Sequence, residues 1–206
     1  MKKQIIVIHG GDSFKTYKEY LNSLKNWEVK IDDFRPRKDW KTTLQDELGD
    51  KFDVLLPRMP NKSNAKFIEW KIWFERMLPF LNKEVILVGH SLGGMFLVKY
   101  LSGNNFPKKI EQLHLVAAPH NKTGDIADFL IPKSLNHLSK QAENIYFYYS
   151  RDDGIVPISE MKEYKKQLPT AKYIIFKNRG HFKQEKLPEL VKLLNKKSEW
   201  ADSMRM

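Results

Sequence analysis

Six short stretches of nearly unbroken apolar, β-branched or aromatic character recur along the chain: Gln4–Ile8, Val54–Leu56, Glu84–Val88, Gln112–Val116, Ile145–Tyr149 and Tyr173–Phe176. A strand with one face in water alternates apolar and polar residues, whereas a strand covered on both faces does not. These runs therefore predict strands of a parallel sheet buried on both sides. Segments of helical spacing lie between them, at Thr16–Leu24, Asp39–Leu48, Ala65–Leu81, Leu92–Leu101, Ser159–Gln167 and Leu187–Asn195. The alternation predicts a three-layer α/β/α sandwich around a mostly parallel sheet of about six strands. Trp70, Trp73, Phe74 and Met77 recur at helical spacing and are expected to face the core. No repeat, low-complexity tract or linker divides the chain, so 1–197 reads as a single domain and 198–206 as a tail. Two stretches, Trp27–Asp50 and Asn121–Glu143, lengthen the connections. Both are expected to overhang the carboxyl edge of the sheet, where open parallel sheets bind ligands.

Composition narrows the function classes. The 206 residues are 41% hydrophobic, 12% aromatic and 30% charged, within the range of globular chains. The apolar run Ile5–Ile8 stops at His9-Gly10-Gly11-Asp12, too short for a signal-peptide core, and no run approaches the ~20 residues of a membrane span. A cytoplasmic location with no membrane partner is the expectation. There are no cysteines, which removes disulfides, thiolate catalysis and cysteine-ligated zinc. No two of the six histidines have metal-ligand spacing, so neither a metal nor a cofactor is expected. The formal net charge of +11 raises the question of polyanions, but Lys83, Lys99, Lys108, Lys109, Lys162, Lys165, Lys166, Lys183, Lys196 and Lys197 are scattered rather than run together. Dispersed charge serves solubility, and a nucleic-acid partner is not expected. Whether Arg35, Arg37 and Lys38 reach a binding site and favour acidic substrates is left open by the sequence.

The chemistry concentrates at Gly89-His90-Ser91-Leu92-Gly93-Gly94, where the run Glu84–Val88 ends and the helical segment Leu92–Leu101 begins. A serine on a sharp strand-to-helix turn is exposed in a strained conformation, and the turn needs residues without a Cβ on either side; Gly89 and Gly93 supply them. A serine hydroxyl is a poor nucleophile and needs a base oriented by a carboxylate. Both lie downstream, each just past a strand: Arg151-Asp152-Asp153-Gly154 after the fifth and Gly180-His181-Phe182 after the sixth. Ser, Asp, His is the chain order of the nucleophile-elbow hydrolases. The Leu92 N–H, opening the elbow helix, is a candidate donor to an oxyanion. His90 is expected to be structural, His114 core and His137 surface; His120, at the end of the fourth strand, is a candidate substrate contact.

These motifs, with His9-Gly10-Gly11 after the first strand, Arg58-Met59-Pro60 after the second, Trp70 and Trp73 in the next helix, Asp-Asp-x-x-Val-Pro and Gly-His-Phe, span the whole chain. It resembles the α/β-hydrolases, specifically the small lidless serine hydrolases related to retinoblastoma-binding protein nine. The resemblance implies an α/β-hydrolase fold without a large cap. It places the acid four residues before Pro157, at Asp153 rather than Asp152, and the second oxyanion donor at the Gly11 N–H, with Asp12, Ser13 and Phe14 lining the mouth. The function it implies is hydrolysis of a small ester or amide through Ser91, His181 and Asp153 and an acyl-enzyme, most of all as a carboxylesterase. The alternative is a catalytically weak protein-interaction module on the same fold, for which a protein partner would be required.

Overall fold

The computed structural model describes residues 2–121 and 126–196; the expected tail at 198–206 lies outside the described residues. The apolar runs form six strands, β1 (Lys3–Ile8), β2 (Phe52–Leu55), β3 (Glu84–His90), β4 (Lys109–Val116), β5 (Ala142–Ser150) and β6 (Lys172–Phe176). They pair in the order β2-β1-β3-β4-β5-β6, and every pairing is parallel. The three-layer fold expected from the sequence is therefore the one observed.

The unbroken hydrophobicity of the strands has a direct cause. Successive side chains of a strand point to opposite faces. Ile6 and Ile8 of β1, with Val85 and Leu87 of β3, join a core that holds Trp70, Phe74 and Phe96. Ile5 and Val7, with Ile86 and Val88, join a second core with Trp40, Leu44, Phe182 and Leu190. All eight strand residues are 0% exposed, and each contributes about 1.5–3 kcal/mol by burial.

The first core is covered by α3 (Phe67–Glu75), α4 (Leu92–Gly103), α5 (Asn136–Ser139) and α6 (Ser159–Gln167), and the second by α2 (Trp40–Leu48) and α7 (Pro188–Leu194). A further helix, α1 (Tyr17–Asn26), is closed at its start by a Thr16/Glu19 capping box and buries no residue. The predicted helix at 65–81 is shorter than its apolar pattern: α3 ends at Glu75, and a separate 3-10 turn, Leu78–Phe80, carries Pro79. Trp73 is 45% exposed, so of the expected core stripe Trp70 and Phe74 are buried while Trp73 faces outward. The connection 121–143 contains the short α5, which its sequence did not announce.

The connections from β1 and β3 leave in different directions, because β2 lies on one side of β1 and β3 on the other. A crevice opens at such a switch point, beyond the carboxyl ends of β1 and β3. No helix among the described residues is long and apolar enough to cross a membrane.

Candidate active site

Ser91 stands at this crevice, between the last residue of β3 and the first of α4, with φ 53° and ψ −125°. A non-glycine residue is strained there, by about 1–3 kcal/mol, and holds only because its surroundings fix it. Its N–H donates to the Val116 carbonyl at 2.9 Å, and its own carbonyl accepts from Gly94 and Met95. The turn also depends on close approach. A Cβ on Gly93 would sit 2.3 Å from the Ile8 carbonyl oxygen, and one on Gly89 would sit 2.5 Å from the Gly94 Cα. Side chains at either position would push the elbow away from β1 or from its own helix.

His181 follows β6 and Asp153 follows β5, so both hang from the same sheet edge as Ser91. His181 Nδ1 lies 2.9 Å from Asp153 Oδ2 and 3.2 Å from Oδ1. A carboxylate only accepts, so Nδ1 is the protonated nitrogen and Nε2 is left to exchange a proton. The pair is shielded, with side-chain exposures of 9% for His181 and 1% for Asp153. Asp153 Oδ1 also accepts from the N–H groups of Ile155 and Val156, at 2.8 and 2.9 Å, which fixes its orientation.

The neighbouring Asp152 has a different task. Its Oδ1 accepts from the Gly180 N–H at 2.9 Å and from the Ser150 hydroxyl at 2.5 Å, while Ser150 Oγ accepts from the Arg179 N–H. It ties the turn that carries His181 to the end of β5. The Ser150 hydroxyl and the Gly180 N–H hold its pKa below the ordinary aspartate value.

Two residues beneath the crevice grip the same turn. His90 Nε2 donates to the His181 carbonyl at 3.0 Å, and Trp40 Nε1 donates to the Phe182 carbonyl at 3.0 Å. The two rings meet edge to face at 6.0 Å. Burial pushes the His90 pKa well below its usual value, so the ring is neutral and its tautomer is set by that hydrogen bond. Sequence reasoning gave His90 a structural place but missed Trp40, whose partner lies 142 residues away; the Asp39 cap before it signals a helix start and nothing about that contact.

The loop after β1 is zipped to the one after β2. The Asp12 N–H donates to the Lys62 carbonyl, the Ala65 N–H donates to the Asp12 carbonyl, and Ser13 Oγ donates to the Ala65 carbonyl. His9 donates from Nδ1 to the Gly10 carbonyl and accepts at Nε2 from the Met59 N–H, while its ring meets Trp70 edge to face. Trp70 Nε1 in turn donates to the Pro60 carbonyl. These bonds hold Gly11 against Lys62 and bring Gly10 against the elbow, where a Cβ on Gly10 would sit 2.9 Å from the Ser91 Cβ. Among the described residues, neither the Gly11 nor the Leu92 N–H donates a hydrogen bond, and the Leu92 N–H heads the helix where no intrahelical acceptor exists.

A cleft of about 1120 Å³ collects His9, Gly10, Gly11, Asp12, His90, Ser91 and His181. Of the other expected lining residues, Ser13 is buried on Ala65 and Phe14 packs on Tyr20. His120 is turned away: its N–H donates to Glu160 and its ring packs on Tyr164 of α6. None of these three is among the residues that line the cleft. From the Trp27–Asp50 stretch, expected to overhang this edge, Trp27 and the segment 36–39 form part of its wall.

A parallel six-stranded sheet with a strained serine at the end of its third strand defines the α/β-hydrolase class of fold. The family model for serine hydrolases matches residues 33–195, and the chain belongs to that family. It is 26% identical over 148 residues to the serine hydrolase RBBP9 of Rattus norvegicus, covering 69% of this chain and 76% of that one. It is also 26% identical over 189 residues to the putative hydrolase YdeN of Bacillus subtilis, covering 90% and 88%. The crystal structure of the B. subtilis ydeN gene product superposes with a TM-score of 0.68 at 20% identity, over 94% of this chain and 97% of that one.

Proposed function

We propose that this chain hydrolyses small ester or amide substrates through an acyl-enzyme on Ser91, as a carboxylesterase-like hydrolase. The observation that carries the reading is the shielded Asp153–His181 pair, whose histidine lines the same cleft as a strained, strand-end serine. His181 Nε2 takes the Ser91 proton as Oγ attacks the substrate carbonyl. Asp153 holds the tautomer and stabilises the imidazolium without accepting its proton. The unpaired N–H groups of Leu92 and Gly11 receive the oxyanion, with the partial positive charge of the α4 N-terminus behind Leu92. The imidazolium then protonates the leaving oxygen or nitrogen, and the alcohol or amine departs. Water, deprotonated by the same imidazole, attacks the acyl-serine, releases the carboxylic acid and restores the serine.

The reading is tested by Ser91→Ala assayed against p-nitrophenyl esters of increasing acyl length. Hydrolysis should fall to the uncatalysed background while the thermal transition is retained. Undiminished turnover in that variant would remove Ser91 from the chemistry.

A further inference from the structure

The cleft around Ser91 gathers cations from three separate stretches of sequence: Arg37, Lys38 and Lys41 before and within α2, Arg58 and Lys62 after β2, and Lys183 after β6. Three carboxylates, Asp12, Asp39 and Glu185, share the same walls. Two of the cations are already paired. Arg37 binds Asp33 at 2.7 Å, and Lys41 binds Asp39 at 2.5 Å. Lys38, Arg58, Lys62 and Lys183 have no carboxylate of the described residues within 4.0 Å. Among the described residues, four cations that make no salt bridge therefore face one cleft in which the carboxylates that make none are Asp12 and Glu185, and Asp12 lies near enough to Lys62 and Lys183 to feel both. No run of basic residues in the sequence produces this; the fold assembles it.

The field is felt inside the cleft. Burial lowers the pKa of Lys41, with Asp39 opposing the shift and Lys62 adding to it, and Lys41 and Lys183 both disfavour a charge on His90. An excess of one sign of charge in a cleft concentrates ligands of the other sign. The guanidinium of Arg58 adds a fork suited to a carboxylate. A positive field also favours the oxyanion formed from any substrate, so charge on the substrate shows only when the reacting bond is kept the same.

We infer that the substrate of the Ser91 cleft carries a negative charge beside its scissile acyl bond, an inference that rests on the hydrolase function proposed above. Two matched pairs of esters test it. The 4-methylumbelliferyl ester of adipic acid and that of its monomethyl ester share a leaving group and differ in charge on the acyl side. 3-Acetoxyphenylacetate and 3-acetoxyphenylacetamide share an acetyl group and differ in charge on the alcohol side. With spontaneous hydrolysis subtracted, the anionic member of at least one pair should show a kcat/KM higher by roughly tenfold at low ionic strength, and the advantage should shrink with added salt. The pair that responds identifies the charged side. Lys38→Glu combined with Lys183→Glu should lower the ratio of anionic to neutral kcat/KM in that pair. Neutral esters hydrolysed as fast as, or faster than, their anionic partners in both pairs would overturn the inference and leave the hydrolase reading standing. No hydrolysis of any of the four, together with no labelling of Ser91 by a fluorophosphonate, would instead refute the hydrolase reading and the inference with it.

Discussion

Two adjacent carboxylates with opposite tasks give the sharpest test of the site. Asp153→Asn keeps the shape of the side chain and an oxygen for the Ile155 and Val156 N–H groups, but removes the charge facing His181 Nδ1. The amide NH2 then points at the imidazole, so Nδ1 must accept and Nε2 carries the proton, which leaves no base for Ser91. The lost attraction can be scaled from the geometry. Unit charges 2.9 Å apart in this shielded pair are worth about 6 kcal/mol at an effective dielectric of roughly 20. That corresponds to about 10⁴-fold in kcat, the size of the loss when the same change is made in a serine-protease triad. Asp152→Asn, by contrast, retains an acceptor for Gly180 and Ser150 and leaves His181 Nδ1 untouched, so kcat should stay within about tenfold of the parent. Steady-state hydrolysis of a p-nitrophenyl ester, with thermal melts to check folding, measures both. A large loss in Asp152→Asn with near-normal turnover in Asp153→Asn would refute the assignment of the two residues.

His90→Leu should leave the His181 carbonyl without its buried donor, at a cost of about 1–3 kcal/mol, and thermal scans should show a transition lower by several degrees together with a reduced kcat. An unchanged transition would show that the turn is held without His90. Acidification should destabilise the fold through its buried histidines. Burial pushes His114 down to about 3 and lowers His90 well below its usual value, so both bind fewer protons folded than unfolded. Their stabilisation is complete above the unfolded value near 6.5 and is lost as the pH falls below it, by up to about 1.4 kcal/mol per pH unit for each. Urea unfolding at pH 7, 6 and 5 should show the decline, and a constant free energy across that range would contradict it.

The sheet was legible because strands covered on both faces leave an unmistakable apolar run, and the elbow because its glycines answer to steric demands local in sequence. The positions of Asp153 and His181 after successive strands followed from the parallel topology, which sends every strand end to one edge. What the sequence could not show is which way a side chain turns once past that edge. His120 follows β4 as Asp153 follows β5, yet it turns into α6, where Glu160 takes its N–H. Trp40 and the converging cations were hidden for a related reason. Their partners lie far off in sequence, and no local pattern records that Lys38, Arg58 and Lys183 come to one cleft. The exposed Trp73 shows the limit of helical spacing in a helix of only nine residues, where apolar residues cover more than one face.

Hydrolysis by this cleft requires an activated serine at position 91. The most direct measurement is covalent labelling of the purified protein with a fluorophosphonate, followed by peptide mapping by mass spectrometry. One adduct is expected, on the peptide carrying Ser91, abolished in His181→Asn and Ser91→Ala. A folded protein that takes up no label, or carries it on a residue other than Ser91, would contradict it.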